Sequence, residues 1–324
     1  MFLEHTATLS ENGADLRRFG RVAGASEGTW FVTLDQLRVF IAVAAREHVT
    51  KAAEALNMTQ SAVSAAIASL EAKHDVALFN RIGRGIKLTE AGTRFNLEAI
   101  AVLRRAEEAE QVLSDLGDLV AGVLRIQASQ TVGSYWLPQK LVLFRELHPA
   151  VAVRVDSGNT TSVAQAVRDG EIDLGIVEGR VGLDQLVHRV VAEDRMIVVV
   201  GHQHPWADGR VVNVANLSDS TWIMREAGSG TRQEFESDVL AMGIDPDTLK
   251  IVLEMPSNEA CLAAVEGGQS ATVLSSRAVA SRLGPTIRKV EFELPARNFT
   301  VLWHPNRHQT RAVRAMRELL SSDR

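Results

Sequence analysis

Residues 50–71, TKAAEALNMTQSAVSAAIASLE, predict two short helices that meet at a tight corner. Alanine dominates the first segment, Lys51–Leu56, and alanine is a strong helix former that lets another helix approach closely. Asn57 and Met58 interrupt this pattern, and Thr59 is suited to cap a second helix, Gln60–Lys73. This second helix has one apolar face at helical spacing, formed by Val63, Ile67 and Leu70.

The opposite face of the second helix is small and polar, with Gln60, Ser61, Ser64 and Ser69. Two such helices are typical of a helix-turn-helix whose second helix enters the major groove of DNA. An ordinary helical hairpin has the same pattern, so the flanking sequence has to decide between the two interpretations.

The flanking sequence favours DNA binding. Before the two helices, apolar residues from Leu34 to Ala44 predict an amphipathic helix that packs behind them. After them, residues 75–89, DVALFNRIGRGIKLT, predict a two-stranded β wing around a Gly-Arg-Gly turn. A basic turn by itself is usually a solvated loop, but here it would present basic side chains where phosphates lie, namely Arg81, Arg84 and Lys87.

Length and composition fit a soluble protein of two or three domains, since the 324 residues are 46% hydrophobic and 23% charged. The net charge of −5 argues against a protein that simply coats nucleic acid, although residues 33–95 carry eight Lys or Arg against six Asp or Glu. No apolar run is long enough for a membrane span and no secretion signal is visible, so we expect a cytoplasmic protein. The single cysteine, Cys261, lies in an apolar helical pattern and is expected in the core.

A long helix should follow the wing, with Thr89 as its cap. Its apolar residues alternate in steps of four and three, which is typical of a dimerising coiled coil, and Gly117 and Gly122 should end it. The alternative is a long helix that packs on its own domain. The seven seam positions are Phe95, Ala99, Val102, Ala106, Ala109, Leu113 and Leu116.

From Val123 onward, apolar strands alternate with helices, which predicts parallel sheets with helices on both faces and a ligand at the carboxyl ends of the strands. The apolar run Met196–Val200 suits one buried strand. We predict strands at 123–128, 151–155, 174–177, 195–200, 222–224, 250–253, 271–274 and 299–303, and helices at 135–147, 162–168, 231–242, 258–266 and 310–320.

From Thr33 onward the chain resembles the LysR-type transcriptional regulators. The resemblance is carried by LDQLRVFIAVAAREHVTKAAEALNMTQSAVSAAIASLE and LFNRIGRGIKLTEAG, in which the helix order and the residues from Leu88 to Gly92 fall at the expected spacing. It implies an α/β protein with a winged helix-turn-helix domain (33–90), a dimerising linker helix (91–120) and an effector domain (121–324) resembling periplasmic binding proteins. We expect lobe 1 to comprise about 121–194 and 290–324, lobe 2 about 195–289, and residues 1–32 a disordered extension.

Within that family, four motifs are similar to a subgroup that activates sulfite reduction and sulfur assimilation: SQTVGSYWLP (129–138), GNT (158–160), DLGIVEG (173–179) and REAGSGTR (225–232). Carbon-fixation and other anion-sensing members share parts of the last motif. A sulfur oxyanion is therefore the first expected effector, and a phosphorylated or carboxylated metabolite the second.

Two residues depart from the family pattern. Ala65 and Ala66 stand where many members have a basic or amide residue, so direct base contacts should be few. Asp75 replaces a usual glycine, but aspartate tolerates the left-handed conformation, so the turn should survive. The residues expected to contact DNA are Thr50, Lys51, Thr59, Gln60, Ser61, Ser64, Arg81, Arg84 and Lys87.

Two helix N-termini are expected to face the cleft between the lobes, at Ser129-Gln130-Thr131 and at Ser229-Gly230-Thr231. Free N–H groups and the helix dipole favour an anion there, although both sets of hydroxyls could simply cap their helices. Asn159, Thr160 and Glu178 follow other strands and should border the same cleft.

Glu178 would repel a bare anion unless the ligand offers an O–H or N–H group, or unless Arg225 or Arg232 pairs with it. His202 and His204 form an HxH pattern, which we interpret as a surface turn, and no third ligand suggests a metal.

We therefore predict a ligand-responsive transcription regulator, without cofactor or metal, that binds operator DNA and a small anion. It should form a homodimer or homotetramer, and RNA polymerase is a further expected partner. The alternatives are a solute-binding protein, a constitutive DNA binder, and an enzyme, for which the sequence has neither a nucleophile elbow nor a Rossmann glycine pattern.

Overall fold

A computed structural model describes residues 32–83, 85–115, 120–179 and 185–322. The chain forms two compact units, residues 1–103 and residues 104–324. The predictions for the N-terminal extension up to residue 31, for Arg84 in the wing and for Leu116 and Gly117 in the linker fall outside the described residues.

The first unit is a three-helix core followed by a two-stranded wing. Its helices are α1 (Leu34–Arg46), α2 (Val49–Ala55) and α3 (Gln60–His74), and its strands are β1 (Phe79–Ile82) and β2 (Gly85–Leu88). The strands pair antiparallel, and the long helix α4 (Glu90–Asp115) begins directly after them. The buried side chains include those predicted at helical spacing, Val63, Ile67 and Leu70.

Three local predictions for this unit are confirmed. Thr59 Oγ1 accepts a hydrogen bond from the backbone N–H of Ala62 at 3.2 Å and caps α3. Thr89 Oγ1 accepts from the N–H of Gly92 at 2.9 Å, at the start of α4. Asp75 has φ +52°, so it ends α3 in the left-handed conformation that aspartate tolerates.

The second unit is built on one nine-stranded sheet. In chain order its strands are β3 (Gly122–Ser129), β4 (Val151–Gly158), β5 (Leu174–Glu178), β6 (Val187–Gly201), β7 (Thr221–Arg225), β8 (Lys250–Met255), β9 (Ser270–Ser275), β10 (Ile287–Lys289) and β11 (Ala296–Trp303). Its helices are α5 (Gln130–Tyr135), α6 (Leu137–Leu147), α7 (Thr160–Arg168), α8 (Gly230–Ala241), α9 (Asn258–Glu266), α10 (Ser276–Val279) and α11 (Arg311–Ser321).

The prediction of parallel sheets holds for six strands and is wrong for β6, β10 and β11. The strand order is β4-β3-β5-β11-β6-β9-β7-β8, with β10 beside β6. Strands β3, β4 and β5 run parallel, as do β7, β8 and β9, but β11 runs antiparallel to β5 and β6, and β6 runs antiparallel to β9 and β10. Strand β11 follows β10 without an intervening helix, so it is not part of the repeat of strands and helices from which parallel sheets were predicted.

Among the described residues the sheet supports four hydrophobic clusters, two in lobe 1 and two in lobe 2, and the two clusters of a lobe form its core. The core of lobe 1 lies between residues 124 and 191 and between residues 299 and 320. The core of lobe 2 lies between residues 196 and 292 and contains Trp222, whose ring centroid is 5.0 Å from that of Phe235. Strand β6 contributes side chains to both cores and β11 pairs with it, so these two strands join the lobes.

Two further predictions concern buried side chains in lobe 2. Met196–Val200 is part of the buried strand β6, as predicted, and Cys261 is buried beside Ile223, where burial raises the pKa of its thiol to about 11. The surface turn predicted for the HxH pattern holds only for His202, because His204 is buried and its Nδ1 accepts from the N–H of Trp206 at 3.0 Å. None of the helices in the described segments has the length and apolar character needed to cross a bilayer.

Candidate functional site

The predicted effector residues meet where strands of lobe 1 end against the start of α8 in lobe 2. Ser129 is the last residue of β3, and Glu178 is the last residue of β5. Thr131 lies in the first turn of α5 and Thr231 in the first turn of α8. With Thr160, these side chains are all buried, so the structure brings together five of the predicted residues in one polar cluster.

Hydroxyl groups surround the carboxylate of Glu178. Ser129 Oγ donates to Glu178 Oε2, and Thr231 Oγ1 donates to Glu178 Oε1 at 3.4 Å. Thr160 Oγ1 donates to the backbone carbonyl of Glu178 at 2.7 Å, and Thr131 Oγ1 lies 3.5 Å from Thr231 Oγ1. The cluster therefore combines one buried negative charge with four hydroxyl groups contributed by both lobes.

A buried arginine that the sequence did not reveal completes this cluster. Arg297 at the start of β11 donates from Nη1 to Thr231 Oγ1 at 3.0 Å. Its Nε donates to Asp194 Oδ2 on β6 at 2.8 Å, and the two side chains are 1% and 0% exposed. Asp194 Oδ1 also accepts from Ser275 Oγ at 2.8 Å. Arg297 is the one charged residue of β11, but β6 carries Arg189, Glu193, Asp194 and Arg195, so the sequence did not show which residues would pair.

A second polar network lies beside the cluster. Gln130 of lobe 1 accepts from the backbone N–H of Asn258 and from Arg225 Nη1, both at 3.2 Å, and Asn258 Nδ2 donates to Thr131 Oγ1 at 3.1 Å. Gln130 Nε2 donates to Glu259 at 2.9 Å. These bonds cross from lobe 1 to lobe 2, so the cleft is lined by groups whose positions depend on both lobes.

Tyr135 adds one more bond across the cleft, because its hydroxyl donates to Glu259 Oε1 at 2.5 Å. Burial, together with this hydrogen bond, raises the pKa of the Tyr135 phenol. The sequence did not point to either residue, since a tyrosine in one helix and a glutamate in the first turn of another have ordinary structural roles.

Neither arginine considered as a possible partner of Glu178 pairs with it among the described residues. Arg225 pairs with Glu226 at 2.8 Å, and Arg232 pairs with Glu236 and with Glu254, each at 2.6 Å. Both arginines have acidic neighbours on their own lobe, which satisfy them before Glu178 can. Among the described residues, no ion pair involves Glu178.

The interpretation of the serines as simple caps also fails. Ser129 and Ser229 precede α5 and α8 at the cap positions, but neither side chain makes a capping hydrogen bond. Ser129 Oγ is turned to Glu178 instead, and the buried Ser229 Oγ has no hydrogen-bond partner within the described segments. Asn159, by contrast, caps α7 by accepting from the N–H of Ser162 at 2.9 Å.

Gly230 is required by the close approach of α8 to β5. A Cβ atom at this position would lie 2.1 Å from the carbonyl oxygen of Glu178 and 2.4 Å from Thr160 Oγ1. Such distances exclude any other side chain without movement of the backbone. Gly230 thus lets the N-terminus of α8 reach the polar cluster.

The residues expected to contact DNA lie mostly on the exposed surface of the first unit. Thr50 is half-buried, because α2 begins at Val49 and places it in the first helical turn, and Arg84 lies outside the described residues. Ala65 is exposed on α3, so no long side chain stands at that position. The exposed predicted residues are Lys51, Thr59, Gln60, Ser61, Ser64, Arg81 and Lys87.

Helix α4 combines the two alternatives drawn from its heptad pattern. Phe95 packs on its own unit, with its ring centroid 4.9 Å from that of Phe40, and Ala99 is 1% exposed. Farther along, Val102 and Leu113 are 47% and 69% exposed. The first seam positions therefore belong to the core of the first unit, and later ones remain available for another chain.

Comparisons with known proteins agree with this architecture. Residues 34–93 match the model of the bacterial regulatory helix-turn-helix protein, lysR family, and residues 117–323 match the LysR substrate binding domain. The chain is 32% identical to a probable RuBisCO transcriptional regulator of Cyanophora paradoxa, over 88% of this chain and 90% of that one. It is 33% identical to the uncharacterized HTH-type transcriptional regulator YeiE of Escherichia coli K12, over 89% and 96%.

Among solved structures, full-length CbnR complexed with its target DNA has the same fold, with a TM-score of 0.69, 20% identity and coverage of 89% of this chain and 99% of that chain. These relatives do not single out the sulfur-assimilation subgroup that the motifs predicted. The two family models together cover nearly all of the described chain. The chain therefore belongs to the LysR family of helix-turn-helix transcriptional regulators.

Proposed function

We propose that this chain is a ligand-responsive transcription regulator of carbon-metabolism genes, and that its effector is a small phosphorylated or carboxylated metabolite. The observation on which the proposal rests is the buried polar cluster at the lobe junction. Hydroxyl groups of Ser129, Thr131 and Thr231 converge there with the guanidinium of Arg297 nearby. Hydroxyls and a buried cation are groups that bind oxyanions in proteins.

The pathway is inferred from the relatives. A regulator named for RuBisCO is 32% identical to this chain, and the relatives named above give no comparable support to a sulfur oxyanion. A sulfur oxyanion remains the alternative effector. The thermal-shift screen described below also measures the response of the protein to this class of anion.

The switch requires that the effector favour one arrangement of the lobes over another. Since β6 and β11 join the lobes and Arg297 and Asp194 lie on these strands, occupancy of the cluster is coupled to the joint between the lobes. We propose that the change in the arrangement of the lobes is passed to operator DNA through a homodimer or homotetramer. This oligomer forms along α4, where Val102 and Leu113 are exposed. RNA polymerase is a proposed further partner.

A thermal-shift screen of the full-length protein tests the effector proposal. The ligands are 2-phosphoglycolate, a sugar bisphosphate, citrate, sulfite and sulfate. A ligand at about 100 times its Kd should stabilise the folded state by about 2.7 kcal/mol. Thr131→Val should abolish the shift because it removes a hydroxyl at the cluster, whereas Thr286→Val, an exposed threonine outside the cleft, should keep it.

The screen also separates the two effector classes. Stabilisation by phosphorylated or carboxylated compounds supports the proposal, and stabilisation by sulfite alone supports the sulfur alternative. The absence of a response to every anion, or a response that persists in Thr131→Val, would show that the cleft is not the anion site.

A further inference from the structure

We propose that Glu178 selects the effector by its hydrogen-bond donors: the cleft accepts oxyanions that carry an O–H group of their own and rejects those that are only acceptors. Hydrogen phosphate and hydroxylated phosphate esters belong to the first class, and sulfate belongs to the second. This inference rests on the proposed function, since it concerns the anion that the same cleft binds.

The carboxylate of Glu178 is enclosed by the polar cluster. Glu178 is 1% exposed, so water cannot solvate its charge. Among the described residues, its side-chain hydrogen bonds come from Ser129 and Thr231, and Arg297, the nearby buried cation, pairs with Asp194 instead. The carboxylate of Glu178 is therefore bound directly by hydroxyl hydrogens, and Arg297 reaches it only through the hydroxyl of Thr231.

The number of hydrogens in the cluster is limited. A serine or threonine hydroxyl has one hydrogen to donate. The oxygen of Thr231 already accepts from Arg297, and its own hydrogen goes to Glu178. The oxygen of Thr131 accepts from Asn258. Arg297 thus acts as a positioning residue. Its N–H occupies the oxygen of Thr231 as an acceptor, so the hydrogen of that hydroxyl is directed to another group.

An anion in this cluster would compete with Glu178 for the same hydrogens. If Ser129 and Thr231 turn their hydroxyl hydrogens to the anion, the buried carboxylate loses its donors. A buried charged acceptor without a partner is strongly unfavourable. The ligand must then donate a hydrogen bond to Glu178, which an O–H group can do.

Sulfate and hydrogen phosphate separate this effect from size and shape. Both are tetrahedral oxyanions of similar size, but sulfate has no hydrogen near neutral pH, whereas inorganic phosphate keeps at least one. With sulfate in the cluster, the carboxylate of Glu178 would have no hydrogen-bond donor, and its negative charge would repel the anion. With hydrogen phosphate in the cluster, Glu178 accepts a hydrogen bond from the O–H group of the ligand.

Ser229 offers the ligand an additional donor. Its Oγ is buried in front of α8, a helix of 12 residues, and has no hydrogen-bond partner among the described residues. A phosphate oxygen at this helix start would satisfy that hydroxyl together with free backbone N–H groups. This arrangement provides hydrogen-bond donors for the acceptor oxygens of the ligand, while Glu178 accepts from the single O–H group of the ligand.

Isothermal titration calorimetry of the full-length protein tests the inference, with sodium phosphate and sodium sulfate at neutral pH and equal ionic strength. The wild type should bind phosphate at least about tenfold more tightly than sulfate. Glu178→Gln should bring the two affinities within about threefold, because an amide N–H can donate to sulfate and the negative charge is gone. Glu146→Gln, at an exposed glutamate on α6, should retain the wild-type selectivity.

Each outcome has one meaning. Equal binding of both anions to the wild type would refute the selectivity while leaving the proposed anion effector in place, and this result needs no variant to fold. An unchanged ratio in folded Glu178→Gln, checked by circular dichroism, would remove Glu178 as its cause. Failure of both anions to bind the wild type would overturn the inference, and only failure of every ligand in the thermal-shift screen would overturn the proposed function.

Discussion

Arg297 and Asp194 form the most deeply buried ion pair in the described chain, on the two strands that join the lobes. Arg297→Gln should lower the free energy of unfolding by up to about 3–5 kcal/mol, since it removes the buried cation beside Asp194 and leaves this carboxylate only the exposed Arg277, 3.5 Å away. Urea denaturation followed by tryptophan fluorescence measures this, because the second unit contains Trp136, Trp206, Trp222 and Trp303.

Arg288→Gln is the matched control. Arg288 lies on β10 and is exposed, so its replacement should change stability by no more than about 0.5 kcal/mol. If Arg297→Gln unfolds at the same urea concentration as the control, the ion pair does not hold the two strands together.

At the scale of residues, sequence predicted one part of the site and missed another. Ser129, Thr131, Glu178 and Thr231 could be predicted because each lies at a strand end or helix start, where local pattern places it in the cleft. The pairing of Arg297 with Asp194 spans 103 positions of sequence and depends on the antiparallel register of β11 and β6. No local pattern contains that register.

At the scale of elements, the short helical turn that starts after His204 has a buried histidine as its cap. His204 Nδ1 accepts from the N–H of Trp206, and Nε2 lies 3.0 Å from Ser220 Oγ. Burial lowers the pKa of His204 below its ordinary value of 6.5. His204 therefore binds a proton less readily in the folded protein than in the unfolded chain. Protonation of its Nδ1 would break the hydrogen bond from the N–H of Trp206.

This arrangement predicts a stability that falls with acid. The contribution of His204 is fully present above the unfolded pKa of 6.5 and is lost as the pH falls from there toward the lower folded pKa. His204→Asn, whose side-chain oxygen can still accept from Trp206, should lose less stability than the wild type between about pH 7 and about pH 5. Urea denaturation at the two pH values provides the measurement.

His202→Asn serves as the control, because His202 is exposed two residues away and its replacement should leave the wild-type pH dependence intact. Equal losses in the wild type and in His204→Asn would mean that other groups cause the acid sensitivity.

Helices and strands were predicted well where adjacent residues define them. They were predicted less well where the order and direction of strands in the sheet define them. Thr59 and Thr89 cap their helices as expected, since capping depends on a few adjacent residues. The direction of β11 was missed because an apolar strand pattern is the same in parallel and antiparallel sheets. Strand β6 is longer than predicted, since residues 187–195 alternate less regularly than its apolar second half.

At the scale of the whole molecule, helix α4 connects the helix-turn-helix unit to the unit that matches the LysR substrate binding domain. The family models establish both units, and the exposed positions Val102 and Leu113 support the proposed assembly along this helix. With Ala65 exposed on α3, direct contacts to bases would be few. Specificity should then depend on the spacing of two copies along the DNA, which a change in the effector unit can alter.

Footprinting of the full-length protein tests this central claim most directly. The DNA is the region directly upstream of the gene that encodes this chain, with and without the metabolite that stabilises the protein. We predict that saturating metabolite changes the protected region or alters the affinity by about 5–150-fold, the range of typical allosteric coupling. Thr131→Val should bind DNA without this response, and Gln60→Ala combined with Ser64→Ala should weaken binding itself. Identical footprints and affinities with and without the metabolite would contradict the account and indicate a constitutive DNA binder.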